Sequence, residues 1–383
     1  MMTYVLSGCS DKINQTGSWL VSYGNTLTPR YFNSDSDSVN VKSAQVNLGL
    51  ANGSSSLLCV GKVPWTEARL LIEFQGLDSV YYASTIISAQ VIFTRGPNTL
   101  QPPGTNVQSL QLAGYTLDTT WNPATYTWDS VSAVPRGLSD IVLSQPPISV
   151  NDSSVTIYLD TATVRQWALA TKDSNVTNNG FVLIPQNPMG ILNVYSDLNT
   201  TGAPEIEVAC VINGVPDTII STSSTATFVG QTYPSLYTPN YAAPNTYRLV
   251  QGGTGERESI TFDLSKIPNY SIVNFAQLTL YADTLDSAYY GHSVDSLYAY
   301  YISDPSAYSV NASYYGQSTL IGNRYVINVT TPVQLMLNHG NYGFLIRLFQ
   351  ESSSVDTRIV YDENAPDSLR PKLTVVYSPA GKR

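Results

Sequence analysis

Apolar residues along this chain come in short runs that alternate with polar positions and stop at Gly, Pro, Asn or Asp. This holds over almost the whole of its 383 residues. In "TIISAQVIF" (85–93) and "SIVNFAQLTL" (271–280) the alternation has period two, which places one set of side chains on one face of a strand. Long stretches of strong helix formers are missing. Two segments, "VTIYLDTATVRQWAL" (155–169) and "YVINVTTPVQLML" (325–337), read as a strand running into a short amphipathic helix or turn. The pattern predicts an all-β chain with short helical turns, long enough to hold two domains with cores of their own.

The runs recur in order. "NNGFVLIPQNPMGILNVYSD" from Asn178 and "NYGFLIRLFQESSSVDTRIVYDE" from Asn341 share Asn-x-Gly-Phe, an apolar strand, a polar turn, and a second strand ending in Tyr with an acid two residues on. "ARLLIEF" (68–74) matches "ERESITF" (256–262), each with an Arg five residues before a Phe. The Ala-Gln pair of the two alternating strands, the aromatic ends of "WNPATYTW" (121–128) and "YSVNASYY" (308–315), and the closing strands "PEIEVACVI" and "RPKLTVVYS" keep the same order. One module is written twice.

The order of elements resembles the DNRLRE-type β-sandwich family of extracellular and cell-surface proteins. Copy one carries the resemblance from "LLCVG" through Trp121, Trp128, Trp167 and "NNGF"; copy two has Tyr308, Tyr315 and Leu335 in place of the tryptophans. The resemblance implies two tandem jelly-roll-like antiparallel β-sandwich domains. It also implies a carbohydrate-binding-module-like role, with alginate-like polymers among the ligands of relatives, and supplies no catalytic residue to carry over. The expected organisation is a lipobox-like N-terminus and polar tether (1–40), a first sandwich (41–213), a Ser/Thr/Pro-rich linker (214–244), a second sandwich (245–378) and a tail (379–383). Within the linker, "ATFVG" reads as a strand docking on a neighbour.

Composition narrows the function classes. Only 12% of residues are charged, against about 25% in an ordinary domain, so Ser, Thr, Asn, Gln and Tyr must cover the surface. The 27 Tyr outnumber the 9 Phe threefold, as half-exposed strands with one wet end require. A net charge of −9 without a basic stripe argues against nucleic acid, and weighs against polyanionic polymers. No apolar run is long enough to span a membrane. Leu6-Ser7-Gly8-Cys9 resembles a lipobox, which would lipidate Cys9 and anchor the chain at a cell surface. Residues 1–8 lack a basic region and a full apolar stretch, so this reading needs a longer leader upstream; the alternative is an unmodified Cys9.

Cys59 and Cys210 lie on strand-like runs of one domain and are expected either as a disulfide or as two buried free thiols. With two histidines in the chain and no CxxC, zinc and His-activated nucleophiles are poorly supplied. Arg69 with Asp197, and Arg257 with Glu363, occupy equivalent positions. They are expected as structural ion pairs tying final strands together, with general acid–base work the alternative. Trp121, Trp128 and Trp167 align with apolar or aromatic positions and are expected in cores. Trp65, outside the repeat, and Tyr289, Tyr290, Tyr298, Tyr300 and Tyr301 are the expected ligand-binding residues, because alternation in "SLYAYYI" should turn some rings to solvent. The acid clusters "NSDSDS" (33–38) and "YDENAPDS" (361–368) are candidates for a structural Ca²⁺, with solvated turns favoured.

Two functions are therefore expected. One is a non-catalytic, exported surface protein binding a polysaccharide or a surface protein without a cofactor. The other is a self-assembling structural subunit of a filament, coat or surface layer.

Overall fold

The computed structural model describes residues 28–100, 104–132, 140–141, 148–151, 153–237, 242–243, 245–284 and 296–379. The chain opens with β1 (Arg30–Asn33) and β2 (Val41–Asn47). The first repeat follows as β3 (Leu57–Val63), β4 (Thr66–Phe74), β5 (Ala83–Leu100), β6 (Leu112–Thr116), α1 (Trp128–Ser132), β7 (Asp140–Ile141), β8 (Ile148–Val150), β9 (Ser154–Leu159), α2 (Thr161–Ala170), β10 (Phe181–Pro185), β11 (Gly190–Tyr195) and β12 (Glu205–Ile212). Then come β13 (Val215–Ser221) and β14 (Ser224–Thr232). The second repeat runs β15 (Tyr247–Gln251), β16 (Glu256–Phe262), β17 (Ile272–Tyr281), β18 (Ser296–Asp304), β19 (Ser309–Ile321), β20 (Arg324–Asn328), α3 (Thr330–His339), β21 (Phe344–Leu348), β22 (Thr357–Tyr361) and β23 (Lys372–Ser378).

These strands form two curled antiparallel sheets, one per repeat, each wrapped round its own core. The all-β expectation of two sandwich-like domains holds. The helices arise where the sequence places a cap or a polar turn before an apolar stripe. Asp160 caps α2 by accepting from Thr163 N at 3.0 Å; before α3, whose cap position is Val329, Asn328 turns the chain by accepting from Thr330 N at 3.0 Å. α2 buries Val164, Trp167 and Ala168, and α3 buries Val333, Met336 and Leu337, spacings of three and four that load one helix face.

The Asn-x-Gly-Phe motif serves the backbone. Asn178 donates from Nδ2 to Phe74 O at 2.8 Å, and Asn341 donates to Phe262 O at 2.6 Å, so the same amide joins the same strand end in both copies. Gly180 and Gly343 have φ of 71° and 88°, and a Cβ there would lie 2.1 Å from Ile72 O and 2.4 Å from Ile260 O. Only glycine lets the backbone cross so closely. The following Phe then pairs with Ile72 or Ile260 and enters the core.

The aromatic segments matched between the copies do not share a structure. Trp128 begins α1, whereas Tyr315 lies within β19. Sequence similarity there reflects shared aromatic composition. The neighbours nonetheless follow one path: β19 pairs with β18 and β20, and in copy one β7 pairs with β6 and β8 with β9.

Two expected boundaries are overturned. Residues 30–33 are no tether, and 41–47 do not belong to the first sandwich. β1 pairs with β23 from Arg30↔Tyr377 to Asn33↔Thr374, and β2 pairs with β16 from Val41↔Phe262 to Asn47↔Glu256. Much of the supposed linker is also sheet. β13 forms a hairpin with β12, and β14 runs along the whole of β4, from Ser224↔Phe74 to Thr232↔Thr66.

The two additions are equivalent. β12 and β23 are the closing strands of the two copies; β13 covers the edge of one and β1 the edge of the other. β14 and β2 each run along the full inner strand of a copy, β4 or β16. Since a strand has two edges, β3 and β10 share the second edge of β4, just as β15 and β21 share that of β16. The pair 30–47 precedes copy one and completes copy two, while the pair 215–232 precedes copy two and completes copy one. The copies exchange their leading strands. The "ATFVG" strand expected to dock on a neighbour is β14, but its partner was not legible, because β14 and β4 pair across 150 positions or more and β2 and β16 across more than two hundred.

The exchange leaves a joint between the copies. Asn52, fully buried, donates from Nδ2 to Phe228 O and to Gly253 O, both at 3.0 Å. The buried Gln251 side chain bonds Thr66, Thr232 and Val355 O, and Val355 packs into the first copy's core.

We expect Gly180→Ala and Gly343→Ala to cost about 2 kcal/mol or more each, since both strain and contact oppose a methyl group. Chemical denaturation of each variant checks this; a loss below about 0.5 kcal/mol at both sites would contradict the backbone role of the motif.

Candidate binding site

The expected tyrosine face is mostly covered. Tyr300 and Tyr301 are 4% and 5% exposed, and Tyr298 is half-buried. Their strand is sandwiched: adjacent residues face opposite sides, and both sides are occupied. Arg347 lies 4.4 Å over the Tyr300 ring and donates to its hydroxyl at 2.7 Å, while Tyr301 Oη donates to Gly340 O at 3.2 Å. Tyr298 packs against Tyr315 and Phe349, with ring centroids 4.9 and 5.7 Å apart. Tyr289 and Tyr290 lie outside the described residues, as does Cys9. Trp65 is not an open platform either. It is half-buried against the first core at the joint, edge to face with Tyr237 at 5.1 Å.

The expected ion pairs are replaced by others. Arg69 pairs at 2.8 Å with Glu67, two residues earlier on the same strand face, and lies 4.2 Å over the Trp128 ring. Arg257 grips Glu351 through Nε and Nη2 at 3.1 and 2.6 Å, and Arg347 joins the same carboxylate at 2.9 Å. Glu363 instead faces Arg248 at 3.5 Å and accepts from Ser43 of β2. Asp197 has no arginine partner among the described residues; burial pushes its carboxyl up, against hydrogen bonds from backbone amides. Cys59 and Cys210 are free, buried thiols, with Cys59 Sγ 3.2 Å from Asn193 Oδ1. Trp167 is core, stacked on Phe181 at 5.7 Å, and Trp121 donates to Asn179 O at 2.8 Å beside a smaller cluster.

The two acidic turns meet, since β1 brings 33–38 beside 361–368, and together they line a polar cleft of about 730 Å³. Their acids already have partners: Asp35 holds Lys372 at 2.6 Å, Asp367 holds Arg370 at 3.0 Å, and Asp37 accepts from Asn33 N at 2.9 Å. Among the described residues no group of three or more candidate ligands converges on a cation position.

Among the described residues, one surface that combines an open aromatic ring with a polar-rimmed cleft lies elsewhere on the second copy. Ile267-Pro268-Asn269-Tyr270-Ser271 turns the chain from β16 into β17, with Ser271 donating through N and Oγ to Pro268 O at 3.2 and 2.7 Å. Tyr270 sits at φ 61°, a left-handed conformation unfavourable for a bulky residue, and its side chain is 73% exposed. Strain of this kind persists where the surroundings impose it.

Beside the ring is a cleft of about 430 Å³, floored by buried Leu264, Met336 and Leu337 and rimmed by Asp263, Ser265, Asn338 and Asn341. Asn341 spends its amide on Phe262 O, and its Oδ1 is buried without a partner among the described residues. Asp263 accepts from Ser265 N at 2.9 Å, and hydrogen bonds from Ser265 hold its carboxyl below the usual range, so it is ionised. An apolar floor, one flat ring and a rim of amide and carboxylate oxygens suit a ligand with alternating C–H faces and hydroxyls. In the first copy the corresponding loop exposes Tyr82, packed edge to face on Tyr81 at 5.1 Å. Sequence reading missed Tyr270 because it attended to tyrosines on strands; the available signal was an aromatic residue inside a Pro-Asn turn.

One further cluster is titratable but closed. Glu258 on β16 is fully buried, facing Arg248 of β15, Asp362 and Glu363 after β22, and Ser43 of β2. Burial pushes its carboxyl well up; Arg248 opposes this, and the charges of Asp362 and Glu363 add to it. The group is fully buried beneath β2, and its facing Ser43 ties it to the packing of that strand.

Comparison with known family models, curated proteins and solved structures finds none that matches the chain.

The Glu258 arrangement has a pH signature. An unfolded Glu carboxyl titrates near about 4.3, and the folded one above that, so between the two values the folded chain binds more protons. Stability should therefore fall as pH rises through this window, and Glu258→Gln should flatten the fall. Denaturation midpoints measured from pH 4 upward for both chains check this; an identical pH slope in the variant would contradict it.

Proposed function

We propose that this is a non-catalytic surface protein that binds carbohydrate, with the Tyr270 cleft of the second copy as its contact. The carrying observation is the strained, outward-turned Tyr270 ring beside a cleft with an apolar floor and a polar rim. The ring would stack on a pyranose C–H face, and Asp263, Ser265 and Asn338 would meet its hydroxyls. Low charge, a Ser/Thr/Asn surface, the resemblance to the DNRLRE-type sandwiches and the lipobox-like Cys9 support a place outside the cell. Neutral or weakly charged polysaccharide fits best, since the rim carries an ionised Asp263.

A second reading, a structural subunit of an extracellular assembly, is favoured by one observation: the copies already hold together by exchanging strands.

Retention on a panel of immobilised polysaccharides tests the first reading. Tyr270→Ala should reduce retention on the bound polymer about tenfold, in line with about 1.4 kcal/mol of lost stacking, with the unfolding midpoint unchanged. Unchanged retention by the folded variant would remove the cleft as the contact.

A further inference from the structure

The two exchanged segments are held with unequal strength. β14 puts Ala226, Phe228 and Val229 into apolar surroundings, and its segment is covalently tied at both ends, through the Asn213–Gly214 turn to β12 and onward to β15. The β1–β2 segment buries Phe32 and Val46 and lays half-buried Val39 and Val41 against the second core; its remaining anchors are polar. Lys372 holds Asp35 at 2.6 Å, Gln45 donates to Leu249 O at 2.7 Å, and Asn47 donates to Glu256 at 2.6 Å. Val41, Lys42, Ser43, Ala44 and Gln45 are all half-buried or exposed.

The receiving slot reads mainly backbone. Its content is a run of antiparallel pairs on β23, a second run on β16, apolar contacts for Phe32, Val39 and Val41, and the side-chain bonds just named. Nothing in it distinguishes this chain's own segment from that of another copy. The segment is joined to its own first copy through residues 48–51, which lead up to anchored Asn52 and span up to about 14 Å when extended. Asn52 fixes the base of this connection at the joint, while Gly49 upstream is uncrowded, its nearest neighbour Thr127 lying 3.8 Å from where a Cβ would sit.

We infer that residues 30–47 are an exchangeable strand donor whose partner is a second copy of this chain. The segment leaves the β16–β23 slot of its own second unit and fills the same slot of a neighbour, joining molecules by strand addition. The inference rests on the strand exchange and not on the Tyr270 cleft, so it stands or falls separately from glycan binding.

Ala44 and Ser259 are directly opposite across β2 and β16. In the full chain carrying Ala44→Cys and Ser259→Cys, refolded over a hundredfold range of protein concentration and oxidised, we expect covalent dimers and higher multiples on a non-reducing gel. They should require both substitutions, grow with concentration, and show position 44 of one chain bridged to position 259 of another by mass spectrometry. A bridge found only within single chains at every concentration would overturn the inference. Should the double variant fail to fold, the unsubstituted chain is incubated with a biotinylated peptide of residues 28–50. Capture of the chain, lost at least tenfold with Phe32→Ala in the peptide, is expected; no capture would equally overturn it.

Discussion

An inner strand with an open edge is the constraint on which this molecule turns. β4 and β16 each present a full row of backbone donors and acceptors that must be paired, because leaving them buried and unpaired costs far more than the pairing contributes. Each repeat lacks the strand for this edge within its own continuous stretch. β14 supplies it to the first and β2 to the second, while β13 and β1 close the outer edges of β12 and β23. The two-domain arrangement, the joint at Asn52 and Gln251, and the burial of Val355 in the other copy's core all follow from that crossing.

The duplicated motif illustrates how a local rule and a long-range one combine. Gly180 and Gly343 allow a backbone crossing that no side chain tolerates, and Asn178 and Asn341 pin it to the same carbonyl in each copy. This fixes β10 against β4 and β21 against β16 on one edge. The other edge is then left for a strand from far away in sequence. Functional surface is what remains after these demands: the β16–β17 turn, free of pairing duties, is where an aromatic ring can point outward.

The strands, the helical turns and the duplication were legible because period-two alternation, caps and Asn-x-Gly-Phe are local signals. Strand partners were not, since β2 reads as a polar segment and its partner β16 lies more than two hundred residues on. The ion pairs illustrate the same limit. Arg69 found Glu67 through strand periodicity, but Arg257 found Glu351, which lies in a turn longer than its counterpart in the first copy. Alternation also misplaced Tyr300: it does face away from Tyr301, yet Arg347 and Glu351 cover that side. Tyr270 was overlooked because a turn residue carries no periodicity, and its exposure depends on a left-handed backbone angle that sequence does not declare.

The dependence of the second copy on strands from beyond the first is the central claim, and dissecting the chain tests it most directly. Residues 233–383 and residues 48–232 would be prepared separately and their thermal unfolding followed with and without a peptide of residues 28–50. The account predicts that 233–383 unfolds early or not cooperatively and regains a sharp, higher midpoint with the peptide, while 48–232, which retains β13 and β14, ignores it. Equal, peptide-independent stability of the two fragments would contradict it.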